Sequence, residues 1–194
     1  MQNKLMQRSE VSEDLKWNIK GLYESEQDYD NDVKKLQDLS CKFKADYEGK
    51  LNDENTILDA LKVYEQIKIL IDHTEHYASL DVSVDMNDNF KNLRASKYGM
   101  MVSEVFANIS FFTSELALLD VTMLEKCKAL DNNYAVFFED IIAEKPHKLD
   151  KNIEHALSML DVVLESPSDC YENTKQMDIR FDNFEVNGKS YEMS

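Results

Sequence analysis

Residues 54–80, ENTILDALKVYEQIKILIDHTEHYASL, decide the fold class. Ile57, Leu61, Tyr64, Ile67 and Ile71 recur at intervals of three and four, Ala78 continues the stripe two turns on, and Leu70, Tyr77 and Leu80 widen it. That spacing predicts one amphipathic helix whose apolar face meets a core. Asn52 or Asp53 supplies its cap. Ending at about Leu80, it would be roughly 40 Å long at about 1.5 Å per residue.

The same periodicity extends in both directions. Upstream, Ser25-Glu26-Gln27-Asp28 has capping-box spacing and opens a helix to about Tyr47, with Tyr29, Val33, Leu36 and Phe43 as its apolar positions and Gly49 as its stop. Downstream, Asp85, Asn87 and Asp88 mark a turn. A third run from about Phe90 carries Leu93, Lys97, Met100 or Met101, Glu104 or Val105, and Ile109 toward Phe111-Phe112. Thr122 starts a short segment to Leu130, and Tyr134 to Glu144 follows as another helix that Pro146 stops. Asp150 caps a run through Ile153, Ala156, Leu157, Leu160 and Val163-Leu164, and Ser166-Pro167-Ser168-Asp169 signals a separate short helix to about Met177. After Ile179, Phe181, Phe184 and Val186, the Asn187-Gly188 pair predicts a type I′ hairpin with Tyr191 and Met193 beyond it. With only four glycines and two prolines in the chain, the fold class is all-α. The expected architecture is an elongated multi-helix bundle of about six or seven helices over residues 1–178, with a small C-terminal β-hairpin over 179–194.

Composition narrows the partners. Thirty-eight acidic against 22 basic side chains give a formal charge of −16, spread along the chain, so nucleic acid and anionic membrane surfaces would be repelled almost everywhere. No stretch approaches the ~20 apolar residues of a membrane span, and the N-terminus meets charge before any apolar run. A cytoplasmic location is expected. Cys41, Cys127 and Cys170 are odd in number and far apart, and they read as reduced thiols with neither a disulfide framework nor a thiolate zinc site.

His73 and His76 lie three apart on the long helix, with Asp72 before them and Glu75 between, so they could in principle share a metal. A zinc site needs a third ligand, and neither HExxH nor HxxEH occurs. Hydrogen bonds at a partly buried helix contact are the expected fate of these two rings. Glu144-Lys145-Pro146-His147 matches a Glu-x-x-His motif once, but a di-metal carboxylate bundle built from Glu75, His76, Glu144 and His147 needs two such motifs on unbroken helices. Glu139 and Asp140 point about 100° apart on a helix and make a poor acid pair. There is no GxSxG, and glycine is too scarce for a phosphate cradle. The expectation is that this chain has no catalytic, cofactor-binding or metal-binding residues.

Several stretches together resemble one family. Glu13 to Tyr23, EDLKWNIKGLY, is similar to the W-D-L-S-D-L-Y opening of the oligoendopeptidase F group, the thimet-type zinc oligopeptidases. Tyr77-Ala78-Ser79-Leu80 resembles its YASL, Phe111 to Leu116 its FF-x-x-E-L, and Lys145-Pro146-His147-Lys148-Leu149 its K-P-H-x-L. Ser166-Pro167-Ser168 through Asp178-Ile179-Arg180-Phe181 and the Asn187-Gly188 hairpin continue the match in order. The resemblance implies a mostly helical peptidase whose two lobes enclose a channel, with zinc held by an HExxH helix and a later glutamate that lie outside this sequence. It makes residues 1–178 a non-catalytic N-terminal lobe, and 179–194 the junction to a catalytic domain. No cofactor is then expected in this chain, zinc is expected in the full-length enzyme, and the partners are the chain's own C-terminal catalytic domain and oligopeptide substrates. On this reading the chain is one lobe of a longer protein and not a naturally short homologue, and the lobe restricts channel access by size. The alternative is a free-standing helical protein-binding module without enzymatic activity, which captures a partner helix in an apolar groove.

Overall fold

Ser25 accepts the Asp28 amide at 3.2 Å and opens α1 (Glu26–Tyr47), as its spacing predicts. The computed structural model describes residues 10–16, 18–84, 88–147, 153, 157, 160–175 and 182–191. The chain divides into two compact units, Ser12–His147 and a second made of Met1–Val11 with Lys148–Ser194.

In the first unit Asp53 caps α2 (Glu54–Val84), accepting the Asn55 and Thr56 amides at 3.0 Å and the Thr56 hydroxyl at 2.6 Å. The Thr56 bonds hold the Asp53 carboxyl below its ordinary range. The helix extends one turn past Leu80. Asp88 caps α3 (Asn89–Leu118) through the Phe90 and Lys91 amides. Asp120, not Thr122, caps α4 (Val121–Leu130) and accepts the Thr122 amide at 2.8 Å. A 3-10 turn over Asn132–Tyr134 leads into α5 (Ala135–Glu144), and a second over Lys145–His147 holds Pro146 where the α-helix ends.

The main core takes Leu36 and Phe43 from α1, Ile57, Leu61, Ile67 and Ile71 from α2, and Val105, Ile109, Phe112 and Leu116 from α3. Leu124 and Cys127 of α4 and Phe138 and Ile141 of α5 close it. Phe43 lies 5.2 Å from Phe111 and 5.5 Å from Phe112, centroid to centroid, and Tyr64 lies 5.0 Å from Phe112. Such tilted and edge contacts add to the area these rings bury. A second cluster gathers Tyr23, Tyr29, Tyr77, Ala78 and Tyr98. The face that α3 buries differs from the expected one in its first half: Leu93 and Met100 are 54% and 70% exposed, whereas Arg94 and Tyr98 are buried. The apolar pattern fails there because a charged side chain, neutralised by its neighbours, occupies the inward position.

Two ties join helix ends across the unit. Gly49, at φ +71°, donates its amide to both Glu115 carboxylate oxygens, at 2.9 and 3.1 Å. Lys145 donates from Nζ to the carbonyls of Ala117 and Leu119 at 2.5 and 2.6 Å, satisfying acceptors that the end of α3 leaves open. Glu115 and Lys145 belong to two of the stretches on which the family resemblance rests.

In the second unit α6 (Asp161–Asn173) runs through Pro167. The separate helix start at Ser166 is therefore not formed: the helix is already under way from Asp161 and crosses the proline, at the cost of one intrahelical bond to the Val163 carbonyl. β1 (Phe184–Val186) pairs antiparallel with β2 (Lys189–Tyr191), Phe184 opposite Tyr191 and Val186 opposite Lys189. Asn187 and Gly188 both take positive φ, 53° and 71°, as a type I′ turn requires. Trp17, Asp150, Met177, Ile179, Phe181 and Met193 lie outside the described residues. No single described helix is long and apolar enough to cross a membrane. Among the described residues, helices with one small hairpin give the expected all-α class.

Candidate functional site

His73 and His76 do not come together with further ligands. Both are exposed, and the residue that faces inward between them is Thr74. His76 Nδ1 lies 2.6 Å from the Asp72 carbonyl of its own helix, so its polar contact is local and exposed, not at the partly buried helix contact expected for it. Glu144 and His147 are also exposed, and Glu139 pairs with Lys128 at 2.7 Å. Among the described residues no group of three or more histidine, cysteine, aspartate or glutamate side chains could hold a metal ion, so this donor set does not fit zinc. Burial pushes the Cys127 thiol up to about 11, which makes it a core side chain and not a nucleophile.

Polar side chains converge instead on Arg94, which is only 9% exposed. Its Nη1 meets Glu26 Oε1 at 2.6 Å, and its Nη2 meets Asp81 Oδ2 at 3.0 Å and the Tyr77 carbonyl at 3.4 Å. Its guanidinium stacks 4.5 Å from the Tyr77 ring centroid. Lys91 completes the knot on Asp81 Oδ1 at 2.9 Å, so two cations face two anions. Tyr77 donates its hydroxyl to Glu26 at 2.9 Å, and Tyr98 donates to the Ile71 carbonyl at 3.1 Å beside the Thr74 hydroxyl. Arg94 Nε is buried without a partner among the described residues.

Local sequence explains why these groups meet. The Ser25 cap sets Glu26 at the first position of α1, where a carboxylate suits the helix N-terminus. The Asp88 cap begins α3 so that Arg94 and Tyr98, four apart, share its inward face. Desolvation raises the pKa of Tyr23, Tyr29, Tyr77 and Tyr98, and a bond from Tyr23 to Asp32 at 3.0 Å adds to the shift at Tyr23. None of these groups is poised as an acid, base or nucleophile near neutral pH. Beside the knot, α1 and α3 line a groove of about 440 Å³. The arrangement ties α1, α2 and α3 together at the edge of that groove.

Arg94 escaped the sequence reading, which took Leu93 and Lys97 for that face. A signal existed: Arg94 is one of three arginines in the chain, four residues before Tyr98 and in phase with Val105, Ile109 and Phe112.

A family model described as Oligopeptidase F matches residues 119–181. Oligopeptidase PepF of Bacillus subtilis is 22% identical over 183 residues, covering 92% of this chain and 27% of that protein. The Oligoendopeptidase F homolog of Lactococcus lactis subsp. lactis is 23% identical over 184 residues, covering 89% of this chain and 30% of that one. The crystal structure of oligoendopeptidase-F from Enterococcus faecium superposes with a TM-score of 0.65 at 17% identity over 88% of this chain and 34% of its own, a likeness of fold. The chain thus spans about a third or less of the length of these relatives. The described residues share the all-α fold of part of that oligoendopeptidase-F structure. Along about nine-tenths of its length the chain is similar in sequence to oligoendopeptidase F-like peptidases, and it corresponds to only the N-terminal portion of such proteins.

Proposed function

We propose that this chain is the non-catalytic N-terminal lobe of a cytoplasmic zinc oligoendopeptidase, and that it restricts by size which peptides reach the metal. Residues 1–178 form the helical wall, and 179–194 carry the chain into the junction with the catalytic domain, its principal partner. Zinc, an HExxH helix and the water-activating glutamate would be supplied by that domain, and oligopeptides would be cut in the channel between the two. The observation that carries this reading is sequence similarity along nearly the whole chain, which covers only 27% of the Bacillus subtilis relative, together with the lack, among the described residues, of three side chains that could hold a metal. Long helices packed on an aromatic core suit a rigid wall, because steric selection fails if the wall yields.

The test compares this chain with a longer protein that contains it. The chain alone should not hydrolyse an internally quenched oligopeptide. The longer protein should, with the activity lost on chelation and restored by zinc, and folded proteins should be spared. Hydrolysis by this chain alone, or stoichiometric zinc on it that disappears in His73→Ala, would overturn the reading. So would a coding sequence with no HExxH downstream.

A further inference from the structure

The groove beside Arg94 has an unusual lining for so acidic a chain. Val33 of α1 and Leu93, Tyr98 and Met101 of α3 make it apolar, and Phe90 and Leu93 at its edge are 63% and 54% exposed. Its charged rim is divided by helix: α1 brings Glu26 and Asp30, one turn apart, and α3 brings Lys97. Arg94 also lines it, but its guanidinium is committed to Glu26 and Asp81. Asp30 and Lys97 have no ion-pair partner among the described residues, and the Glu26 bonds use Oε1, leaving Oε2 open.

We propose that this groove is a peptide-binding subsite that takes an apolar side chain next to a lysine or arginine. The apolar side chain would cover Leu93, Tyr98 and Met101, the cation would meet Asp30 and Glu26 Oε2, and Lys97 would donate to a peptide carbonyl. Charge selects this occupant over its competitors. An anionic ligand would find only Lys97 uncommitted, because Arg94 is held by Glu26 and Asp81, and it would lie beside Asp30 in the field of a chain at −16. A second copy of the chain would bring another net charge of −16 against the first. The volume of about 440 Å³ holds a few side chains, within the range of about 300–1,000 Å³ typical of ligand pockets. The proposal rests on the function above only for the source of the peptide; binding itself is a property of this chain.

Isothermal titration calorimetry on the 194-residue chain tests it, using the acetylated and amidated peptide Gly-Gly-Lys-Leu-Phe-Gly-Gly and a version with glutamate in place of lysine. The lysine peptide should bind saturably, and the glutamate peptide about tenfold more weakly. Asp30→Asn should weaken the lysine peptide about threefold, and Leu93→Ser should weaken both peptides, with melting temperatures unchanged because both positions are exposed. Four results would overturn the proposal: no saturable binding, equal affinity for the two peptides, indifference to both substitutions, or a dimer that Leu93→Ser dissolves. A groove that binds in a chain whose longer parent lacks peptidase activity would sink the proposed function alone. An active parent whose groove fails to bind would sink the subsite alone.

Discussion

Arg94 shows how one side chain can decide local architecture. It joins α1 through Glu26 and α2 through Asp81 and the Tyr77 carbonyl, so three helices depend on it. Removing one member of a buried ionic network costs about 3–5 kcal/mol when all partners are sequestered. Here Glu26 is about half exposed, so solvent takes part of that loss, and Arg94→Ala should destabilise the chain by about 2–3 kcal/mol in urea titration. Arg94→Lys should recover only part of it, since an ammonium cannot reach two carboxylates from one plane while stacking on Tyr77. The tyrosines around it give a second prediction. Burial raises the pKa of Tyr23, Tyr29, Tyr77 and Tyr98, so the folded state holds these protons more tightly than the unfolded state. Their contribution to stability is complete below the ordinary phenol value of 10.0 and falls away as pH climbs beyond it toward the raised values. Phenolate absorbance from these four should therefore rise together with the loss of helical circular dichroism above about pH 10.

Among elements, the informative contacts are those that tie one helix end to another. Glu115, one turn from the end of α3, holds the Gly49 amide just past α1. Glu115→Ala should cost about 1–2 kcal/mol, as a charge-assisted hydrogen bond does, and nuclear magnetic resonance should place the shift changes at residues 48–51 and 115–119. Glu115→Gln should lose less. This scale also shows how far the sequence could be read. Helix positions were legible because caps and apolar spacing are local: Ser25, Asp53 and the stripe from Ile57 to Ile71 lie where their own neighbours dictate. The errors came where the deciding partner was remote. Arg94 is inward because Glu26 and Asp81 meet it from 68 and 13 residues away, and periodicity ranks a charged residue as outward by default. The Ser166-Pro167 signal was overridden by a helix that begins five residues upstream, at Asp161. The roles of Glu115 and Lys145 were invisible from spacing for the same reason, although both residues stand in stretches that carry the family resemblance. Of the site residues, Tyr77 was noted only for its place in the apolar stripe and the YASL stretch, and its contacts with Glu26 and Arg94 depend on long-range packing.

At the scale of the whole molecule, a formal charge of −16 sets a background against which any surface apolar groove must compete for partners. Self-repulsion disfavours association between copies, whereas a cationic peptide would be drawn in at low ionic strength and less so as salt screens the field. The two clusters of buried residues are not independent bodies. α2 contributes Ile57, Leu61, Ile67 and Ile71 to the larger cluster and Tyr77 and Ala78 to the smaller, so one continuous helix serves both. That shared spine couples their melting. Loosening the tyrosine cluster frees the last turns of α2, and the rest of that helix transmits the loss to the aromatic core. Backbone amides in the middle of α2 should be the slowest in the chain to trade protium for deuterium, opening only with global unfolding.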